Sequence, residues 1–98
     1  MTYTVIFKPA ATEEAAEAYL WYEEQDEALA VDFKQSVDEI VSAITQFPES
    51  YPVVYKNLRR ALTRRFPYAV FYSVEANRII VHAVSHVRRD PKEWRDRA

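Results

Sequence analysis

Cysteine and glycine are both absent from the 98 residues, and each absence removes a set of mechanisms. Without cysteine there is no disulfide framework, no thiol nucleophile and no Cys-based zinc site. Without glycine there is no P-loop and no Gly-rich dinucleotide fingerprint, since both rely on backbone that only glycine supplies. No apolar run nears the ~18 residues that span a bilayer, and no secretory signal pattern opens the chain. The expected compartment is therefore the cytoplasm, with no membrane partner. What is present is 49% hydrophobic and 29% charged, the balance of a folded chain and not of a disordered one. This length suits a single domain spanning residues 1–98.

The net charge of −2 conceals a division along the chain. Residues 1–50 hold eleven acids against Lys8 and Lys34, a charge of −9; residues 51–98 hold eleven bases against Glu75, Asp90, Glu93 and Asp96, a charge of +7. Nine of those eleven bases are arginine, the side chain best suited to bidentate contact with phosphate or carboxylate. A basic face of this kind suits nucleic acid or an acidic protein. Folding that interleaves the two halves would instead cancel part of the field.

Thr2 to Lys8 alternates, with Tyr3, Val5 and Phe7 on one side, which is strand periodicity. Pro9 ends it for want of an N–H. Thr12 then reads as an N-cap ahead of Glu13 and Glu14. Ala11, Ala15, Ala18, Tyr19 and Tyr22 follow at helical spacing, the alanines leaving room for a close neighbour. Gln25-Asp26-Glu27 reads as a tight break. Phe33, Val37, Ile40, Val41, Ile44 and Phe47 form one apolar stripe over four turns, and Pro48 stops that helix. So short a link predicts an antiparallel helical hairpin.

From Leu58 the period changes to two. Candidate strands are 58–65, 68–74 and 79–85, with a turn at Glu75-Ala76-Asn77 in which Asn77 is expected to take the positive φ. Asp90 and Pro91 have the chemistry of an N-cap and first helical residue, predicting a short terminal helix. The order β-α-α-β-β-β defines an α+β domain: an N-terminal strand and a helical hairpin packed on a mainly antiparallel sheet.

Hydrolytic and redox chemistries find little here. His82 and His86 lie four apart on a strand, facing the same way but roughly 13 Å apart by the rise per residue, too far to share a metal ion. No G-x-S-x-G elbow is present. The carboxylates of the first helix (Glu13, Glu14, Glu17, Glu23, Glu24) read as a solvated face. No cofactor or metal is implied, and no catalytic residue is assigned. The arginines are more informative. On a strand through residue 65, Arg60 and Arg64 share one face and Arg59 and Arg65 the other. Arg60, Arg64, His86, Arg88 and Arg89 are expected to build one basic region where the final strand meets the terminal segment. Such a region could grip RNA phosphates or an acidic protein segment, or its arginines could pair with the acidic helices of the same molecule.

The segments Arg-Arg-Phe-Pro-Tyr-Ala-Val-Phe-Tyr (64–72) and Ala-Val-Ser-His-Val-Arg-Arg-Asp-Pro (83–91) resemble the RelE/ParE superfamily of toxins from bacterial type II toxin–antitoxin modules. The helix ending in Phe47-Pro48 and the opening strand with its Ala-rich helix fit as well. The most specific part is the C-terminal His86-x-x-Arg89-x-Pro91. This resemblance implies a growth-arresting, plasmid-stabilising toxin neutralised by a cognate antitoxin. RelE-like members cleave messenger RNA on the ribosome, whereas ParE-like members poison DNA gyrase. Against the ribonuclease branch, the arginine that follows the first Tyr of the central strand is replaced by Ala69, and the C-terminal proton-transfer Tyr by Trp94, whose indole only donates. Arg88 does match the arginine ending the last strand. The resemblance therefore favours the ParE-like branch, with gyrase as target and no enzyme activity. The alternatives are a RelE-like ribosome-dependent nuclease and a non-toxic RNA- or peptide-binding module.

Overall fold

The computed structural model describes residues 2–98. Its elements are β1 (Thr4–Phe7), α1 (Pro9–Gln25), α2 (Glu27–Gln46), β2 (Val53–Tyr55), β3 (Leu58–Leu62), β4 (Tyr68–Glu75), β5 (Arg78–His86) and α3 (Lys92–Arg95). The strands form one sheet in the order β1-β5-β4-β3-β2; β1 runs parallel to β5, and every other pairing is antiparallel. The α+β class and the helical hairpin are as the periodicity predicts. The sheet has one more strand than expected. β2 escapes a periodicity reading because it is three residues long, follows Pro52 and pairs with β3 in an irregular register.

Pro9 both ends β1 and starts α1. Its fixed φ suits the first helical position, where no N–H is needed, so the helix begins three residues before the expected cap at Thr12 and Lys8 is the N-cap. Asp26 serves both helices. Its N–H closes α1 on the Tyr22 carbonyl, and its carboxylate accepts the Ala28 N–H at 2.8 Å to cap α2. Phe33, Val37 and Ile44 of the predicted stripe are buried. Phe47 is not: it is the C-cap, with φ −138° and ψ 66°, so it leaves the stripe and is 66% exposed.

The hairpin covers one face of the sheet. Ala11 and Ala18 of α1 and Phe33, Val37 and Ile44 of α2 pack on Ala61, Tyr68, Val70, Tyr72, Ile79, Val81 and Val84. On the far face the indole of Trp94 from α3 stacks on Phe71 at 4.2 Å and 16°, among Leu58, Ala69 and Ala83. Buried Tyr72 donates its hydroxyl to the Pro48 carbonyl at 2.6 Å, tying the end of the helical hairpin to the central strand. Its removal from water pushes the phenol up to about 12.

Two departures in the strands decide where the basic residues go. β3 ends at Leu62, because Thr63 turns the chain: its N–H and hydroxyl both reach the Tyr68 carbonyl, and its hydroxyl also reaches that of Phe66. Arg64 and Arg65 thus lie in a loop, with no strand parity relating them to Arg59 and Arg60. In β5 the register slips, Phe71 pairing with Ala83 but Tyr72 with Val81, so that His82 is an extra, bulged residue.

A chain without glycine puts other residues in left-handed backbone. Lys56, Arg65 and Ala76 have φ of 50°, 68° and 57°. At the β4–β5 turn the positive φ falls on Ala76 and not on Asn77, whose carbonyl accepts the Thr4 N–H at 2.9 Å. A Cβ in that region costs about 1–2 kcal/mol, partly offset by the chain entropy a glycine would add. Ala76→Gly should therefore stabilise the fold by roughly 0.5–1 kcal/mol, read as a higher melting temperature; a lower one would show the turn to be unstrained.

Candidate functional site: a basic cleft between the first helix and the end of the sheet

The bulge changes the parity of β5 halfway along. Ile79 and Val81 face the hairpin before it, and Val84 faces the hairpin after it. His82 and His86 therefore do not share a face, as unbroken alternation predicts. His82 is 5% exposed and lies with Ser73, whose Oγ is 2.8 Å from its Nε2; Ser73 Oγ also donates to Glu75 at 3.1 Å. His86 faces the helices, its ring edge-on to Tyr68 at 5.2 Å.

Around His86 the surface hollows into a cleft of about 680 Å³. α1 supplies Glu17, Ala18, Trp21 and Tyr22; Pro67, Tyr68, His86, Arg88 and Arg89 form the other side. Tyr68 belongs to an aromatic cluster, edge-on to Phe33 at 5.1 Å, while Tyr22 meets Phe66 at 5.1 Å. Desolvation raises the Tyr68 phenol above its usual value, against the field of Arg89, which lowers it. His86 Nδ1 accepts the Arg88 N–H at 3.1 Å. That bond leaves the neutral imidazole carrying its hydrogen on Nε2.

Three of the five expected residues, His86, Arg88 and Arg89, thus line one cleft. The other two lie elsewhere. Arg60 pairs with Phe71, which places it on the far face of the sheet beside the α3 layer. Arg64 lines a separate depression with Asp32, Ser36 and Glu39 of α2, held there by the bond from Ser36 Oγ to its carbonyl. The single five-residue surface does not form, because β3 ends early. Glu17, Trp21 and Tyr22 were not singled out as site residues; their i, i+4 and i+5 placement opposite a basic strand end was the available signal.

Intramolecular pairing accounts for other arginines. Arg65 meets Asp32 at 3.6 Å, and Arg97 reaches Glu14 at 2.6 Å. Glu14 also accepts the Val84 N–H at 3.0 Å, and Arg97 donates to the His82 carbonyl at 3.2 Å. β1 has by then ended: its last partner is Val81. The ion pair thus serves the edge of β5 where the neighbouring strand is missing.

Ala69 and Trp94, the two positions at which the sequence resemblance departs from the nuclease branch, are both interior. Ala69 is 1% exposed, and Trp94 is 8% exposed in its stack on Phe71. Neither offers a group to a substrate. Among the described residues no cluster of three or more His, Asp or Glu side chains could hold a metal ion. No helix among them is long and apolar enough to cross a membrane.

A helical hairpin on a mixed five-stranded sheet, with a basic aromatic cleft beside the first helix, defines a small α+β protein. The family model described as the ParE toxin of the type II toxin–antitoxin system parDE matches residues 5–91. The chain belongs to this family and is a type II toxin. Its fold is similar to that of a chain in the chromosomal ParDE TA system from P. aeruginosa, with a TM-score of 0.76 at 16% identity over 87% of this chain and 96% of that one. No curated protein matches it in sequence.

Burial holds the His82 imidazole below its usual value of 6.5, helped by the nearby charge of Lys8. The unfolded chain then takes up a proton first on acidification. Stability should be complete above about pH 6.5 and fall as pH drops through the lower folded value. Melting temperatures between about pH 7.5 and 5.5 should decline less steeply in His82→Gln than in the parent; equal slopes would exclude His82 as the titrating group.

Proposed function

We propose that this toxin arrests growth by protein–protein inhibition of DNA gyrase and that a cognate antitoxin neutralises it. The observation that carries the target is the interior packing of Ala69 and Trp94. RNA cleavage needs a base for the 2′-OH, charge stabilisation at phosphorus and an acid for the leaving oxygen. Arg88 and His86 could serve parts of that scheme, but a matched second titrating group at either packed position is lacking. A toxin that binds its target needs none.

The antitoxin reading rests on a second concavity. Between α1 and α2 lies an apolar groove of about 550 Å³, floored by Phe7, Ala15, Tyr19, Phe33 and Val37, with Lys34 and Asp38 at its rim. An amphipathic antitoxin segment could lay its apolar face there. Acidic residues on the same segment would suit the basic cleft at the other side of α1. Co-purification with the product of a short adjacent reading frame would support this reading, and harmless expression with no such neighbour would oppose it.

A supercoiling assay run beside a translation-coupled cleavage assay tests the target. The expected result is inhibited supercoiling with ribosome-bound messages intact; strong cuts in the ribosomal A site with normal supercoiling would restore the nuclease reading. Arg88→Ala should relieve toxicity with an unchanged melting temperature, and charge reversal at Arg88 should relieve it further, because repulsion adds to the lost contact. Full toxicity in both variants would remove the cleft from the functional surface.

A further inference from the structure

Most arginines of this chain are already engaged. Arg59 donates to the carbonyls of Glu49 and Tyr51, and Arg95 lies over the rings of Tyr55 and Trp94. Arg65, Arg78 and Arg97 pair with Asp32, Glu75 and Glu14. Arg88 and Arg89 form no ion pair among the described residues, and both face the same cleft. His86 adds a third donor there, since the Arg88 N–H occupies its Nδ1 and leaves the hydrogen on Nε2. Three donors on the strand side of the cleft suit an oxyanion of more than one charge.

The α1 side of the cleft has different chemistry. Trp21 is 57% exposed, and its indole stands edge-on to Tyr22 at 5.1 Å, leaving a flat apolar surface for a planar ring. Glu17, one helical turn before Trp21, also lines the cleft and forms no ion pair among the described residues. It offers an acceptor that would repel a wholly anionic ligand but would receive a ring N–H or amino group. The volume, about 680 Å³, is that of an ordinary small-molecule site.

We propose that this cleft binds a nucleotide, its phosphate on Arg88, Arg89 and His86, its base on Trp21, and a donor of the base on Glu17. A free nucleoside monophosphate and the terminal nucleotide of a single strand share this chemistry. The site shares Arg88 with the surface proposed above for toxicity, but its readout is ligand binding to the isolated chain and not growth arrest.

Titration calorimetry of the full chain with GMP, guanosine, orthophosphate and a 5′-phosphorylated single-stranded oligonucleotide tests it. GMP should bind with Kd below ~1 mM, and guanosine and orthophosphate at least about tenfold more weakly. The double variant Arg88→Ala/Arg89→Ala and the single variant Trp21→Ala should each lose about tenfold or more, with melting temperatures unchanged. Glu17→Gln should weaken GMP while strengthening orthophosphate, because the lost carboxylate repels a wholly anionic ligand. Binding of the oligonucleotide alone, sensitive to the same substitutions, would assign the nucleotide to a strand. No saturable binding by GMP or oligonucleotide, or affinities indifferent to Arg88, Arg89 and Trp21, would overturn the proposal.

Discussion

One extra residue in β5 decides which side of the sheet its last residues face. The bulge at His82 shifts the pleat by one position, so that every side chain after it faces the side opposite to the one unbroken alternation would give. His82 goes to the far face and is buried against Ser73, while His86 comes round to the helices and to Tyr68. Arg88 is tied through its N–H to His86, so the approach to the terminal segment is set by the same slip. Without the bulge, the imidazole of His86 would lie on the other side of the sheet from Trp21 and Tyr22.

The opposite charges of the two halves of the chain find each other at few places. Glu14 and Arg97 are 83 residues apart and form the tightest pair, half-hidden between α1 and the tail. Their role resembles that of a strand more than that of a surface ion pair. The carboxylate takes a backbone N–H of β5 and the guanidinium takes a backbone carbonyl two residues earlier, as a neighbouring strand would. Exposed pairs such as Lys34–Asp38 contribute little by comparison. Because so few arginines of the sheet meet the acids of the hairpin, the cleft at the end of β5 keeps its positive field.

The helical hairpin and the three long strands were legible in the sequence because each carries a period strong enough to survive folding. The stripe Phe33-Val37-Ile44 had one solution, and the alternation of 68–74 another. β2 was not legible, being three residues beside a proline. Nor was the bulge, since no glycine marks it and Val81-His82-Ala83 reads as regular strand. The same silence affected the turns: Asn77 is the better left-handed residue by propensity, yet the two-residue loop between Glu75 and Arg78 places the positive φ on Ala76. His86, Arg88 and Arg89 share one cleft because they lie within four residues of each other. Arg60 and Arg64 were misplaced because one hydroxyl, that of Thr63, ends β3 sooner than its arginine-rich pattern suggests.

The parallel edge pair has a kinetic meaning. β1 makes its ladder with β5, Thr4 opposite Arg78 through Phe7 opposite Val81, so the sheet closes over more than seventy residues of intervening chain. Contacts so distant in sequence form late, since the loop entropy is lost before they return anything. During synthesis the helical hairpin can assemble locally, but the sheet that supports it cannot close until residues 78–86 have left the ribosome. A nascent toxin of this topology carries its first strand unpaired and its cleft unbuilt. Its cleft forms only once residues 78–86 have joined the sheet.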